Sequence, residues 1–289
     1  MKNYENLKQS HPCFGSGVRN TGRIHLPVSP GCNIACRFCE RSFNTEEQRP
    51  GVTGAVIRPE QAVRFLEKAL QLCPEIRVAG IAGPGDPLAT DYAVQTFLEI
   101  GKCHPEIMKC LSTNGLLLYE RAEELISTGI DSLTVTVNAV DPEIEARLNA
   151  YVLYHGRKYE GTEGAEILIR NQLEGIRRIA DAGITVKVNT VLVPGVNDHH
   201  IGEIARAVSL RGASIHNIIP LIPNAELKNY PAPGCREIER ARQEAGKYMD
   251  VFRHCRHCRA DAAGVPGKSE FAGQVYGGIS GIRETFSHG

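Results

Sequence analysis

Alternation of apolar and polar residues predicts six β-strands along the chain, and a stretch with helical periodicity follows each strand. In the first strand Ile24, Leu26 and Val28 form an apolar face and His25 lies on the other. The predicted strands are residues 23–28, 76–82, 107–112, 132–138, 184–192 and 214–221. The predicted helices are residues 58–72, 91–101, 119–128, 142–182 with a loop-like insert around 156–164, 201–210 and 235–249.

Repeated strand–helix units predict a parallel sheet with right-handed crossovers, which fits either a doubly wound sheet or a partial barrel. Polar residues along one face of several strands favour the barrel. A packed barrel has a branched apolar interior, so a polar face indicates an open lumen that holds ligands, with the active site at the carboxyl ends of the strands. The polar residues are His25; Cys110, Ser112 and Asn114; Thr134, Thr136 and Asn138; Lys187 and Asn189.

Composition and charge exclude several classes of function. The chain has 33 Lys and Arg against 33 Asp and Glu, so it has no net positive charge of the kind that would indicate a nucleic-acid partner. No apolar run approaches the roughly 18 residues of a membrane span. The polar N-terminus, residues 1–10, carries no signal-peptide core, and residues 1–21 are expected to be irregular. Ten cysteines without an export signal indicate a reducing cytoplasm and metal binding.

Three cysteines lie in one short loop after the first predicted strand, at the spacing C-x3-C-x2-C: Cys32, Cys36 and Cys39. Three thiolates can bind three irons of a [4Fe–4S] cluster and leave the fourth iron open to a small molecule. Zinc sites usually use paired C-x2-C units or histidines, which would leave Cys32 over. A disulfide framework does not suit a chain without marks of secretion.

This spacing, with Phe38 just before the last cysteine and a strand upstream, resembles the radical S-adenosylmethionine (SAM) superfamily. In that superfamily the open iron binds SAM, and an electron from the cluster cleaves SAM to a 5′-deoxyadenosyl radical. The resemblance implies a [4Fe–4S] cluster, SAM, and an anaerobic or oxygen-protected setting. The fold expected is therefore α/β, a partial (β/α)6 TIM-like radical SAM barrel with N- and C-terminal extensions closing over the open end.

Two strand ends carry candidate SAM-binding residues. Gly83-Pro84-Gly85-Asp86 follows the second strand, and Thr113-Asn114-Gly115 follows the third. Each alone is typical of a simple turn, but glycines let the backbone approach a ligand and Asp86 can accept a hydrogen bond from an ammonium. The resemblance implies contacts to the amino group, carboxylate, ribose and adenine of SAM from Phe38, Gly83, Gly85, Asp86, Thr113, Asn114, Thr136, Asn138, Asn189 and Val191.

The segment Cys255-Arg256-His257-Cys258 is a second metal-chelating unit. Its candidate partners are Cys13, His25 and Cys110. The remaining cysteines, Cys73, Cys103 and Cys235, lie near predicted helix ends and are interpreted as incidental. Five ligands are too few to saturate two further [4Fe–4S] clusters, which expose eight irons. Such clusters are easily released or remodelled, so they are better suited to be substrates than to transfer electrons.

Six stretches together resemble the NifB family, radical SAM enzymes of nitrogenase cofactor assembly. Many members carry a further small domain at the C-terminus, so the short form is expected here. The six stretches are His11-Pro12-Cys13, residues 32–39, Glu47-Gln48-Arg49-Pro50-Gly51-Val52, residues 82–89, residues 110–115 and residues 255–262.

The family resemblance implies a specific reaction. Two [4Fe–4S] units are fused into an eight-iron cluster with a central carbide and an added sulfide. One SAM donates a methyl group to a cluster sulfide, and a second SAM yields the radical that takes hydrogen from it. The ligands implied are Cys32, Cys36 and Cys39 for the SAM cluster; Cys13, His25 and Cys110 for one unit; and Cys255 with Cys258 for the other.

The E-x-R-P stretch of the family places Glu47 and Arg49 at the active site, with a solvated loop as the alternative. The implied partners are SAM, an iron–sulfur cluster donor, an electron donor such as a ferredoxin or flavodoxin, and a downstream carrier or scaffold protein. The expected domains are an N-terminal extension with a cluster ligand (1–22), the barrel (23–225), and a C-terminal helix with the CxxC tail (226–289).

Two other hypotheses stay open at this point. A generic radical SAM oxidoreductase or activase would use its extra clusters only for electron transfer, and it predicts fully ligated clusters. A non-enzymatic zinc or iron–sulfur scaffold would give no reason for an open-site cysteine loop beside a glycine-rich pocket. Metal content separates the scaffold from the enzymes.

Overall fold

The computed structural model describes residues 2–15 and 20–278 and shows strands and helices in alternation. Within these residues the strands are β1 (Gly22–His25), β2 (Ile34–Cys36), β3 (Ser42–Phe43), β4 (Val52–Thr53), β5 (Ile76–Ile81), β6 (Met108–Thr113), β7 (Ser132–Thr136), β8 (Asn149–Tyr154), β9 (Arg157–Glu160), β10 (Thr185–Leu192), β11 (Ile215–Pro220), β12 (Asp250–Phe252) and β13 (Ala263–Gly264). The α-helices are α1 (Lys2–Ser10), α2 (Ala62–Leu72), α3 (Tyr92–Cys103), α4 (Leu118–Ser127), α5 (Pro142–Ala146), α6 (Gly161–Asp181), α7 (Ile201–Ser209), α8 (Cys235–Gly246) and α9 (Ala272–Tyr276).

The main sheet has eight strands in the order β12, β11, β10, β7, β6, β5, β1, β13. The six strands predicted from alternation occupy the middle of this sheet, run parallel and follow one another in chain order. Helices α2, α3, α4, α6 and α7 connect them. The predicted partial (β/α)6 architecture is confirmed, and among the described residues the strand order is linear rather than closed.

The hydrophobic core lies between the outer face of the sheet and the helices. Alternation directs Leu111, Leu133 and Val188 to this side, where they are fully buried with Phe97 of α3 and Ile204 of α7. Burying each such side chain contributes roughly 1.5–3 kcal/mol. The opposite, inner face is therefore free to carry the polar residues that the sequence places there.

The C-terminal segment spans the open side of the sheet. Strand β12 is parallel to β11 at one edge, and β13 is antiparallel to β1 at the other. Residues 253–262, between these two strands, must therefore cross from edge to edge. The expectation of a C-terminal closure is confirmed for this segment, while residues 279–289 of the tail lie outside the described part of the chain.

Three local predictions are wrong: the irregular N-terminal arm, the end of the helix at 235–249 and the loop-like insert around 156–164. The N-terminal arm is not irregular, because residues 2–10 form α1, and Leu7 of α1 packs with Phe14, Ile215 and Phe252. Such a short helix owes its stability to these distant partners rather than to its own sequence. The predicted helix at 235–249 ends at Gly246, and the unpredicted strand β12 follows.

The loop-like insert is instead a β-hairpin that runs into the start of α6. Strands β8 and β9 are joined by His155 and Gly156, whose φ angles of 50° and 72° are those of a tight hairpin turn. Strand β8 also pairs with β2, with Cys36 opposite Asn149. The hairpin therefore holds the cysteine loop, a long-range pairing that sequence periodicity could not reveal.

Candidate functional site

The three-cysteine loop lies at the carboxyl end of β1 and is held from both sides. Strand β2 fixes Cys36 against β8, and Asn114 donates a hydrogen bond of 2.7 Å to Asn33 Oδ1. Burial raises the pKa of Cys32 to about 11 and that of Cys36 well above its usual 9. Such buried thiols become thiolates when metal ions bind them. The loop therefore fits the resident [4Fe–4S] cluster.

A cavity of about 260 Å³, here called the SAM cavity, opens in front of this loop. Its wall contains all three cysteines and nine of the ten predicted SAM-binding residues. The nine are Phe38, Gly85, Asp86, Thr113, Asn114, Thr136, Asn138, Asn189 and Val191. Gly83 is outside this wall, and its φ of 123° shows that it serves the turn.

Close backbone approach joins the glycine-rich turn to the cysteine loop. Gly85 N donates to Ser29 O at 2.6 Å, and Asp86 N donates to Gly31 O at 2.7 Å. A Cβ atom added at Gly85 would lie 1.9 Å from Gly31 O. Only glycine therefore permits this contact, which sets the position of the cysteine loop.

The Asp86 carboxylate is buried and already accepts three donors of the chain itself. Thr113 Oγ1 donates at 2.9–3.0 Å, Asn114 N at 2.6 Å and Leu88 N at 2.9 Å. Burial raises the pKa of Asp86, and these hydrogen bonds oppose the rise. Asp86 thus ties the glycine-rich turn to the end of β6, and its contact with an ammonium stays a prediction.

Sequence reasoning missed a buried carboxyl in the SAM cavity. Glu145 of α5 is fully buried, and burial raises its pKa from 4.5 to about 8. Asn149 Nδ2 donates to its Oε1, while Oε2 has no hydrogen-bond partner within the described part of the chain. No local signal separates Glu145 from its exposed neighbour Glu143, because burial here depends on the fold around α5.

Glu47 and Arg49 form an ion pair, but only Arg49 of the two lines the SAM cavity. Arg49 lines the SAM cavity, whereas Glu47 is half-exposed and outside its wall. Their side chains pair at 2.5 Å, and the hydrogen bond from Arg49 lowers the pKa of Glu47. Arg259 holds the same loop from the C-terminal segment by donating to Glu47 O and Asn44 O at 2.5 and 2.6 Å.

A second cavity of about 160 Å³, here called the cysteine cavity, contains all five predicted auxiliary ligands in its wall: Cys13, His25, Cys110, Cys255 and Cys258. They come from the turn after α1, from β1, from β6 and from the crossing segment 253–262. Among the described residues, no three His, Cys, Asp or Glu side chains are close enough to share a single metal ion. The donors instead surround a space, as the ligands of a multi-iron unit do.

His25 presents a neutral imidazole to the cysteine cavity. Burial lowers its pKa to about 4, and its Nδ1 lies 2.9 Å from Arg259 O. A carbonyl can only accept, so Nδ1 carries the proton and Nε2 is free to bind a metal. Gly80 makes room for the ring, since a Cβ there would lie 3.0 Å from His25 Cδ2.

The cysteines of this cavity differ in acidity. Burial raises the pKa of Cys13 to about 12 and also raises that of Cys110. Burial would raise the pKa of Cys255 too, but hydrogen bonds from His257 bring it down to about 7. Among Cys13, Cys110 and Cys255, the thiol of Cys255 is therefore the most readily deprotonated near neutral pH.

The two cavities are stacked along one face of the sheet. On β6, Cys110 lines the cysteine cavity, Ser112 lines both cavities and Asn114 follows in the SAM cavity. Lys187, Asn189 and Val191 repeat this order on β10. The predicted polar face is confirmed, and the common wall consists of Pro50, Ala82, Ser112, Asn189 and Ile219.

Comparison with known proteins agrees with this geometry. Residues 26–208 match the radical SAM superfamily. The chain is 43% identical over 279 residues to the FeMo cofactor biosynthesis protein NifB of Methanocaldococcus infernus, which covers 96% of this chain and 92% of that protein. It is 42% identical to the NifB protein of Klebsiella pneumoniae over 90% of this chain but 57% of that longer protein.

Among solved structures, a radical SAM methyltransferase from Sphaerobacter thermophilus has a TM-score of 0.55 at 18% identity, over 80% of this chain and 64% of that chain, and so shares the fold. None of the helices in the described residues has the length and apolar character that a membrane crossing requires. The superfamily match and the extended identity show that the chain belongs to the NifB family of radical SAM enzymes, which bind a [4Fe–4S] cluster and SAM.

Proposed function

We propose that this chain makes the eight-iron precursor of the nitrogenase cofactor by fusing two [4Fe–4S] units and inserting a SAM-derived carbide and a sulfide. The observation that carries the proposal is the common wall between the SAM cavity and the cysteine cavity. Adjoining cavities let a short-lived radical formed in one meet a substrate unit held in the other. The names of the relatives, FeMo cofactor biosynthesis proteins, support this reading.

In this proposal Cys32, Cys36 and Cys39 hold the resident cluster, which supplies the electron that cleaves SAM. The residues of the SAM-cavity wall bind and orient SAM, and Arg49 faces it from the E-x-R-P stretch. One SAM gives its methyl group to a sulfide of a substrate unit and leaves as S-adenosylhomocysteine. A second SAM takes one electron and releases methionine, and its 5′-deoxyadenosyl part removes a hydrogen atom from that methyl group to become 5′-deoxyadenosine.

The cysteine cavity holds the substrate units in this scheme. Cys13, His25 and Cys110 bind one unit, and Cys255 with Cys258 bind the other. Five ligands for eight irons leave open positions at which the two units can be joined and from which the product can leave. The imidazole of His25 is neutral and replaceable, which suits a unit that must move.

The same proposal assigns the parts of the chain. The extension 1–22 brings Cys13, the barrel 23–225 holds SAM, and the segment 226–289 brings the CxxC unit across the open side. The reaction requires an iron–sulfur cluster donor, a sulfide source, an electron donor such as a ferredoxin or flavodoxin, and a carrier protein for the product. We propose an oxygen-protected cytoplasm as its setting.

Label transfer from SAM tests the proposal. Protein purified and reconstituted without oxygen is given SAM with a labelled methyl carbon and dithionite, and the products and the label are quantified. We expect S-adenosylhomocysteine and 5′-deoxyadenosine together, with the label in acid-labile cluster material. Cys110→Ala and Cys255→Ala should abolish the label transfer and keep SAM cleavage, whereas Cys103→Ala, an exposed cysteine outside both cavities, should behave as wild type.

Another result would favour the alternative function. If 5′-deoxyadenosine forms alone and all the label stays in methionine, the chain is a generic radical SAM oxidoreductase or activase with electron-transfer clusters. If the protein binds zinc without iron, both enzyme readings are wrong.

A further inference from the structure

Lys187 is a buried cation for which the known chemistry of the site gives no role. It lies on β10, its residue is 6% exposed, and it lines the cysteine cavity. Its ammonium donates to Cys13 O at 3.2 Å and lies 5.1 and 5.5 Å from the ring centres of Phe14 and Phe252. An ammonium has three donors, and this environment offers one oxygen and two rings.

No carboxylate within the described ranges forms an ion pair with Lys187. The neighbouring cation, Arg23, differs in this respect, because it pairs with Glu270 at 3.3 Å and donates to Gly264 O at 2.8 Å. Arg23 also donates to Cys258 Sγ at 3.4 Å. A buried charge without an ion-pair partner destabilises the folded chain unless an anion binds beside it. The charge of Lys187, which no carboxylate of the described residues balances, therefore points to an anion that belongs in the cavity.

The charge distribution of the wall indicates the same ligand. In the described part of the chain the wall of the cysteine cavity carries Arg23, Lys187 and Arg256 and no Asp or Glu, whereas the wall of the SAM cavity carries both signs: Glu40, Asp86 and Glu145 beside Arg41 and Arg49. Every thiolate, sulfide or electron added to an iron–sulfur unit makes it more negative. The positive field of Lys187 already opposes the burial-induced rise in the pKa of Cys13 and Cys110.

We propose that Lys187 is the counter-ion of the iron–sulfur cargo: its ammonium donates hydrogen bonds to the sulfides of the bound units and raises their reduction potential. This role rests on the proposed function, since it requires iron–sulfur units in the cysteine cavity. Net charge and hydrogen bonds to sulfur are the levers by which a protein sets such potentials. Lys187 would thereby retain units that the five protein ligands hold only in part.

The test uses a parent variant in which Cys32, Cys36 and Cys39 are all alanine. This parent has no ligands for the resident cluster, so all iron taken up on anaerobic reconstitution belongs to the cysteine cavity. Lys187→Met removes the charge at similar length, Lys187→Gln removes it and keeps a donor, and Lys187→Arg keeps it. Lys109→Met is the matched control, since Lys109 on β6 lies outside the cavity and donates to Thr128 O.

Two readouts are measured: the iron and sulfide retained after desalting, and the reduction potential from a redox titration followed by electron paramagnetic resonance. We expect Lys187→Met and Lys187→Gln to lose bound iron and to shift the potential of the remaining units to more negative values. Lys187→Arg should restore both quantities, and Lys109→Met should match the parent. The iron-free Lys187→Met protein should melt no earlier than its iron-free parent, because an uncompensated buried charge is removed.

The outcomes separate this inference from the proposed function. If the parent takes up iron and the neutral Lys187 variants retain it and titrate as the parent does, the role of Lys187 is refuted and the proposed function stands. If the parent takes up no iron at all, the cargo is absent and both proposals are wrong.

Discussion

Replacing Glu145 with glutamine removes a buried carboxyl whose negative charge the folded chain does not compensate. The side chain is fully buried, the backbone N–H of Ala139 helps to lower its pKa, and Asn149 Nδ2 donates a hydrogen bond to Oε1. Glutamine keeps the shape and this acceptor. Glu145→Gln therefore isolates the cost of the charge, and because Glu145 lines the SAM cavity, the measurement is made without SAM.

The sign and size follow from the pKa of Glu145, which burial raises from 4.5 to about 8. Below pH 4.5 both the folded and the unfolded chain hold the proton, so wild type and variant respond alike. As the pH rises towards 8, only the unfolded chain loses the proton, and wild type loses stability relative to the variant. At about 1.36 kcal/mol per pH unit, the variant gains roughly 3 kcal/mol by pH 7 and about 5 kcal/mol above pH 8.

The assay is urea unfolding of iron-free protein under reducing, anaerobic conditions, followed by circular dichroism across this pH range. The free energy of unfolding of Glu145→Gln minus that of wild type is plotted against pH, which cancels the titration of all other groups. Glu143→Gln is the matched control, since it replaces an exposed glutamate of the same helix. If the difference in the free energy of unfolding between Glu145→Gln and wild type does not change with pH, water or a partner stabilises the charge of Glu145, and the reasoning is refuted.

Two further substitutions test how the site is held together. Gly85→Ala should abolish SAM binding, measured by equilibrium dialysis of the reconstituted protein, because its Cβ would lie 1.9 Å from Gly31 O. Gly31→Ala is the control and should bind SAM as wild type does, because its Cβ meets nothing within 4 Å. Equal binding of SAM by both variants would contradict the close contact. Asp261→Ala should lower the free energy of unfolding by roughly 3–5 kcal/mol because it leaves Arg259 buried without its carboxylate. A urea midpoint unchanged from wild type would show that Arg259 finds another anion.

The strand pattern predicted the sheet and its inner face because alternation along a strand is local. The alternating runs predict that Cys110 and Lys187 face the lumen, and both line it. The same pattern could not give depth along the lumen. Whether a polar residue faces the SAM cavity or the cysteine cavity depends on the register between neighbouring strands, such as Cys110 beside Ser132 and Lys187 beside Thr134.

Sequence alone predicted the six parallel strands and the three-cysteine loop, since spacing and periodicity within a few residues carry that information, and the family resemblance implied the full set of eight cluster-ligand candidates. The tertiary structure decided what depends on contacts between distant segments. It buried Glu145 but not Glu143, and it placed Arg49 inside the SAM cavity and Glu47 outside it. It also carried residues 253–262 across the open side of the sheet, because their two flanking strands pair with opposite edges.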